Sequence, residues 1–525
     1  MMASDDKQME SSTGRSLLRS ILSNWVGMLI AGLVSFVLTP ILIHGLGEFY
    51  YGMWVLVASL IGYYGLLDMG LRVTVQRFIA RFQGANQREE LNQTFTTAVK
   101  LTLAISSLVI ILIPCLILLL PRFFRLQGAA VGLFRWLIIL LALDVAVVLP
   151  VRLLGTYLCA LQRFDLYNMA AIAVDLSRAL LFVVVLRLGW GVLGVGAAAL
   201  AVTLLSLPVH WYLLRRVDPG FRILWSYASW SRVWELASFS FYILLNTVGD
   251  RLRSYSDAIV IGRVLGVAMI TPFIVAARLM EYYKSLLVGV SGPLMPAISS
   301  LDGQNRGSDA RSLFIRATRM TTLLSVFIAT MLFVDGRQLL YYWVGEGFVS
   351  SYVLVEILTV GYLLSLVQAP TSVLLIARGQ HRPMGWWTLG EGVANLVLSI
   401  YWARHYGLVG IALGTMVPMV VTKTLIQPWY LSRVLNLPLL QYMATALRRP
   451  LVAGGAFILI LHVVSPALPI TSRGLFLVVV LGQTVLFAVL AYLLGFTRED
   501  REFVWTRSRG VMAGAGLAIA KVRLG

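Results

Sequence analysis

Asp250, Arg253 and Asp257 stand at i, i+3 and i+7 in a stretch otherwise apolar enough to lie in a bilayer. That spacing sets all three on one helix face. In the next apolar stretch Arg278, Glu281 and Lys284 step by three. An ionisable group at bilayer depth costs about 2.5–3.5 kcal/mol on insertion scales, so it usually faces a cavity or a partner. Two charged strips on consecutive spans predict one shared water-filled cavity. Its basic groups would attract an anion, and the planar donor fork of arginine suits phosphate. Asp257 and Glu281 are candidates to bind a coupling ion, a proton or sodium. Other charges at depth are Asp68 with Arg72, Asp144 with Arg152, Asp175 with Arg178, and then Glu391 and Lys423. Asp68/Arg72 and Asp175/Arg178 also fit mutual neutralisation across one helical turn. Arg72, Arg77 and Arg152 lie near inner helix ends and fit snorkelling to headgroups.

The elements that hold these groups follow from composition. Of 525 residues, 59% are hydrophobic and only 13% charged, where soluble chains carry about 25% charged. The mean hydropathy is +0.83. With about 20 apolar residues per crossing, the expected spans are 21–43, 49–71, 98–120, 131–151, 166–186, 191–214, 235–262, 265–296, 317–334, 351–377, 384–403, 407–431, 450–468 and 474–495. The reading is an all-α integral membrane protein of about fourteen transmembrane helices. Cytoplasmic loops should hold the excess of Lys and Arg. With the N-terminus inside, the inner segments hold 28 of the 43 and the outer segments eight: Arg122, Arg125, Arg135, Arg187, Arg263, Arg337, Arg404 and Arg473. Both termini are therefore expected in the cytoplasm.

The net charge of +19 sits mainly in short loops, which points to lipid headgroups or an anionic substrate and away from nucleic acid. Cys115 and Cys159 give no disulfide framework, and the five His show no ligand spacing. No metal or other cofactor is implied. Short outer loops, with no nucleophile elbow, P-loop or zinc-ligand helix, favour transport over an envelope glycosyltransferase or ligase. Many Trp residues mark span ends, as an interfacial belt does. Tyr63, Tyr64, Tyr282 and Tyr283 could stack on sugar rings. Pro40, Pro293, Pro296 and Pro418 predict kinks.

The chain also repeats itself at an offset of about 216 residues. Gly191 and Gly194 fall on Gly407 and Gly410, Leu46-Gly47 on Leu265-Gly266, and Asp175 on Glu391. Two same-facing six-span halves around a central site are a common transporter plan. The expected organisation is a cytoplasmic segment 1–20, a first lobe 21–217, a linker 218–234, a second lobe 235–433, an added helix pair 450–495, and a cytoplasmic amphipathic tail 498–525.

The series Asn24, Pro40, Leu46-Gly47, Tyr51-Gly52 and GLLDMGL (65–71) before Arg77, with SDAIVIGRVLG (256–266) and ARGQHRPMG (377–385), resembles the polysaccharide transporter family. These are the O-antigen and exopolysaccharide flippases of the multidrug/oligosaccharidyl-lipid/polysaccharide exporter superfamily. AMITPF (268–273) departs from the Gly-x-Tyr more usual there. The resemblance implies two six-helix lobes around a central cavity in the bacterial cytoplasmic (inner) membrane. It implies alternating access that moves a polyprenyl-pyrophosphate-linked oligosaccharide to the outer leaflet for polysaccharide or lipopolysaccharide synthesis, beside the polymerase machinery. Arg251, Arg253, Arg278, Lys284 and Arg178 then become substrate-binding candidates, and Asp257, Glu281, Asp175 and Glu391 ion-coupling candidates. A lipid II flippase or a cation-coupled multidrug exporter of the same superfamily are the alternatives. The first span, however, has no basic residue between Asn24 and Ile43, and the charges at depth are more basic than a multidrug cavity usually is.

Overall fold

A computed structural model describes residues 26–63, 71–223, 230–291, 294–380, 382–435, 438–464 and 470–502. Asp68, Tyr64, the N-terminal segment and the tail beyond 502 lie outside them. Among the described residues all regular structure is helical. In chain order the helices are α1 Val26–Leu46, α2 Glu48–Gly62, α3 Leu71–Gly84, α4 Arg88–Phe123, α5 Ala129–Ala160, α6 Phe164–Arg187, α7 Gly191–Val217, α8 Trp230–Val264 and α9 Ile270–Ser291. They continue as α10 Leu294–Gly303, α11 Gly307–Trp343, α12 Tyr352–Val367, α13 Ala369–Ala377, α14 Arg382–Val421, α15 Gln427–Leu435, α16 Leu439–Ala446, α17 Arg448–Val464 and α18 Arg473–Leu490.

Each expected span falls mainly on helix over its described residues. Among the described residues nine helices are long and apolar enough to cross a membrane, ten if the bent pair α16–α17 counts as one. The chain is a multi-pass membrane protein. The charged α8 and α9 and the short α2 fall outside that nine, while the 54-residue run Arg382–Leu435 enters it once despite a break at Gly407 (φ 57°) inside α14. Several helices outrun their apolar stretch. The window 317–334 lies within the 37 residues of α11, because hydropathy marks the hydrocarbon and a helix can continue past it. After Pro418 the chain relaxes into a π-helical turn, Thr422–Ile426, as helices do where a backbone donor is missing.

Backbone torsions carry the repeat more clearly than side chains do. Residues with positive φ recur in pairs about 216 residues apart: Gly47 and Gly266, Asn86 and Asn305, Gly128 and Gly345, Gln162 and Gly379, Gly191 and Gly407. The helices between them match in length. α4 has 36 residues and α11 has 37, while α5 and the run Glu346–Ala377 both have 32.

The chain packs as two compact units, Met1–Ser285 with Arg382–Pro418, and Leu286–His381 with Met419–Gly525. In the first, α5 packs against α4 and α7. One end of that group is closed by Phe95, Tyr157 and Phe221, whose ring centroids lie 4.9–5.2 Å apart. Tyr157 Oη donates to Asp218 at 2.6 Å, and Arg88 pairs with the same carboxylate. Gly249 on α8 and Gly392 on α14 bring two backbones together, the close approach that small residues permit between membrane helices. A Cβ at Gly392 would lie 2.6 Å from the Gly249 carbonyl oxygen, whereas one at Gly390 meets nothing within 4 Å. Gly392→Ala should therefore destabilise by ~1–3 kcal/mol through overpacking. A lower thermal midpoint of the detergent-solubilised protein reads this, with Gly390→Ala unchanged as control.

In the second unit α11 packs on α12 and α17, and Phe327 and Phe457 both contact Phe487 at 4.9 and 5.0 Å. Beyond α18, in a short helical stretch 498–502, Asp500 is buried. It pairs with Arg319, meets Arg316 at 3.3 Å, and accepts from the Thr497 N–H at 2.9 Å and hydroxyl at 2.7 Å. Burial raises this carboxyl, but the Thr497 and Arg319 hydrogen bonds outweigh it and hold it below the usual carboxylate range. A carboxyl depressed on folding stabilises above its unfolded value, and that contribution is lost as pH falls through its folded value. Arg319→Gln should cost ~1.5–3 kcal/mol at neutral pH by removing one charge-assisted hydrogen bond, since Arg316 and Thr497 still meet the carboxylate. The deficit against wild type should shrink as the acid is protonated, which thermal midpoints at neutral and acid pH would register.

Candidate functional site

α2, α5, α6, α7 and α8 of the first unit enclose a cavity of about 380 Å³. Its polar lining is Asp144 and Arg152 from α5, Arg178 from α6, and Arg251 and Tyr255 from α8, with Trp54 and Phe182 among its apolar walls. Gly62 lets the Tyr255 ring come in, since a Cβ there would lie 2.7 Å from that ring. Arg251 donates to Tyr255 Oη at 2.6 Å, with its guanidinium 5.0 Å from the ring centroid. Arg178 donates to Thr203 Oγ1 at 3.3 Å, and its buried Nε has no hydrogen-bond partner. Asp175, one turn away, is half-buried and outside this lining. Among the described residues the two form no ion pair within 4 Å, but Asp175 still feels the charge of Arg178. Asp144 Oδ1 is likewise buried without a hydrogen-bond partner. Arg178 and Arg251 each keep N–H donors that no carboxylate among the described residues takes up, which leaves the cavity suited to an anion.

The strip Asp250, Arg253, Asp257 divides into two arrangements. Arg253 bridges Asp250 at 2.7 Å and Glu391 of α14 at 2.6 Å, and the Glu391 side chain is 1% exposed. Its charge is thus balanced within the protein, unlike that of Arg251. One helical turn on, Asp257 is buried and accepts from Thr415 Oγ1 at 3.1 Å. Asn395 donates to the same hydroxyl at 2.8 Å and accepts from Ser256 at 3.1 Å. Asp257 Oδ1 is buried and makes no hydrogen bond. A buried carboxylate oxygen beside amide and hydroxyl oxygens is chemistry that suits a proton or a small hard cation. Asn395, Thr415 and Ser256 escape a search of the sequence because uncharged polar residues in a span are common. Only their convergence on Asp257 marks them.

On α9, Arg278 and Glu281 pair at 2.6 Å and Lys284 is exposed. Tyr282 Oη lies 3.1 Å from Ser35 Oγ and 3.3 Å from Thr39 Oγ1 of α1. Lys284 lies within electrostatic reach of Asp250, Arg251 and Arg253, so the two charged strips approach each other, but no α9 residue is among those that the cavity around Arg251 brings together. Asp144 and Arg152, read from the sequence only as charges at depth, are. Tyr63 lies beside Tyr255, ring centroids 6.1 Å apart, whereas Tyr283 is buried. Lys423 falls on the π-helical turn.

Comparison with known proteins agrees with this architecture. The chain is 22% identical to the membrane protein EpsK of Bacillus subtilis over 94% of its own length and 98% of that protein's. It is 19% identical to a Shigella flexneri protein assigned as an O-antigen transporter, covering 80% of the chain and 98% of the relative. Its fold matches an inward-facing multidrug resistance transporter of the MATE family and MOP superfamily, with a TM-score of 0.67 at 17% identity, over 78% of this chain and 95% of that one. It matches the lipid II flippase MurJ in an inward closed conformation, also with a TM-score of 0.67, at 11% identity over 91% and 98% of the two chains. A family model described as polysaccharide biosynthesis protein matches residues 17–302, more than half of the chain, and the chain belongs to that family.

Proposed function

We propose that this protein is a flippase that carries a polyprenyl-pyrophosphate-linked oligosaccharide from the inner to the outer leaflet of the bacterial cytoplasmic membrane by alternating access. The observation that carries this reading is the cavity bearing Arg152, Arg178 and Arg251 within a multi-pass helical fold. In a member of a polysaccharide biosynthesis family, its excess of guanidiniums suits a pyrophosphate or acidic sugars. Arg178 and Arg251 are the principal substrate-binding residues, with Arg152 beside them. Arg253 is tied to two carboxylates and supports α8 against α14. Arg278 and Lys284 lie outside that lining and meet substrate in another stage of the cycle.

Coupling is assigned to Asp257, one oxygen of which accepts from Thr415, itself bonded to Asn395, while the other makes no hydrogen bond. The bound ion is a proton or sodium. Glu391 acts on the same helices through Arg253, and Glu281 and Asp175 are secondary. Both termini lie in the cytoplasm in this reading, which the charge distribution supports, with lobes 21–217 and 235–433 rocking about the cavity. A multidrug exporter is the second reading, favoured by the fold match alone; a positive cavity is poorly suited to cationic drugs. Deletion of the gene should leave the lipid-linked oligosaccharide on the inner leaflet, intact and unpolymerised. Normal appearance of that lipid on the outer leaflet of the deletion strain would sink the proposal.

A further inference from the structure

Three of the eight arginines that the orientation proposed above places outside meet in one other pocket. Arg125 follows α4, Arg263 sits in the last turn of α8, and Arg404 lies just before the Gly407 break in α14. All three line a recess of about 460 Å³. Its remaining lining is apolar, Phe123, Ile259 and Leu396 among it, and no acidic residue contributes. The Arg263 guanidinium lies over the Phe123 ring at 5.3 Å, a stacked position that leaves its N–H edge available. Among the described residues none of the three arginines forms an ion pair, so their charges are uncompensated by the protein.

Two further features make this more than a chance gathering. Arg125 is held in the left-handed region at φ 54°, where an L side chain is strained and a glycine would serve the turn better. Outer segments are also where basic residues are scarce. Attraction to helix C-termini explains cations at such places in general. It does not explain three from separate segments converging on one apolar-walled recess without bonding a backbone carbonyl.

The geometry points to a binding site for a phosphate-bearing lipid on this side of the membrane, with the phosphate among Arg125, Arg263 and Arg404 and the chain along the apolar wall. Phosphate diesters and monoesters share the chemistry that such a fork recognises. The location relies on the proposed orientation, but binding does not rely on the flippase reading.

Native mass spectrometry of the purified full chain in a neutral detergent tests it. The lipid probes are phosphatidylglycerol, undecaprenyl phosphate and phosphatidylcholine, with inorganic phosphate as competitor. Arg125→Gln/Arg263→Gln/Arg404→Gln should lower retention of both anionic lipids by about tenfold or more, and the matching triple lysine variant should retain part of it. The glutamine variant should keep the wild-type thermal midpoint. A preference for undecaprenyl phosphate over phosphatidylglycerol would identify the carrier lipid as the occupant, and equal retention would identify bulk anionic lipid. Equal retention of anionic lipid by wild type and the glutamine variant overturns the site. So does displacement of the lipid by millimolar inorganic phosphate, which would make the ligand a free anion. Because no transport is read, failure of the flippase reading leaves this outcome unaffected.

Discussion

Arg178→Gln combined with Arg251→Gln should reduce transport of a pyrophosphate-linked lipid by about 10²-fold or more, with the thermal midpoint little changed. Each residue offers charge-assisted hydrogen bonds worth ~1.5–3 kcal/mol. Losing two removes ~3–6 kcal/mol, or about 10²–10⁴ in affinity. The fold should tolerate the change because neither guanidinium closes an ion pair among the described residues. Arg178 donates to the Thr203 hydroxyl and Arg251 to Tyr255. Arg251→Lys should fall between wild type and the double variant, since it keeps the charge and loses the planar fork. Substrate binding to the purified protein gives the first number, and accumulation of inner-leaflet lipid-linked oligosaccharide gives the second. A double variant that transports normally would move the substrate site elsewhere.

The second large effect is expected at Asp257. Asp257→Asn keeps the shape and can still accept from Thr415, but it removes the charge that a proton or cation would compensate. Transport driven by an ion gradient should drop to the level seen without a gradient. Coupling free energies of ~1–3 kcal/mol correspond to about 5–150-fold. Substrate affinity should stay near wild type, because Asp257 does not line the cavity around Arg251. This split between binding and drive separates coupling from a merely structural role. If Asp257→Asn still responds fully to a gradient, the coupling ion binds somewhere else.

Much of this architecture is legible in the residues, because a bilayer imposes a length on each span. The repeat was visible in a few glycines, and the paired left-handed positions show why those survive: each marks a turn where only certain backbones fit. The site was legible in part. Charges at depth stand out because they are costly, so Arg178, Arg251 and Asp257 could be named from sequence. Their partners could not. Helical spacing places Asp250, Arg253 and Asp257 on one face, but it does not say that Arg253 is claimed by Glu391, distant in sequence, while Arg251 is left facing the cavity with Arg178. The same limit applied to α9, where Arg278 and Glu281 satisfy each other. Pairings across helices depend on packing, and the close approach of Gly249 to Gly392 that sets the α8–α14 pairing is invisible one span at a time.

The central claim is most directly tested by translocation in proteoliposomes. Purified protein would be reconstituted with a fluorescent polyprenyl-pyrophosphate-linked oligosaccharide, and movement between leaflets followed by the accessibility of the label to a membrane-impermeant quencher. Wild type should exchange the lipid between leaflets, and should do so faster under a proton or sodium gradient. Arg178→Gln/Arg251→Gln should be close to protein-free vesicles. Exchange at the protein-free rate by active wild-type preparations, or equal exchange by wild type and the double variant, would contradict the account.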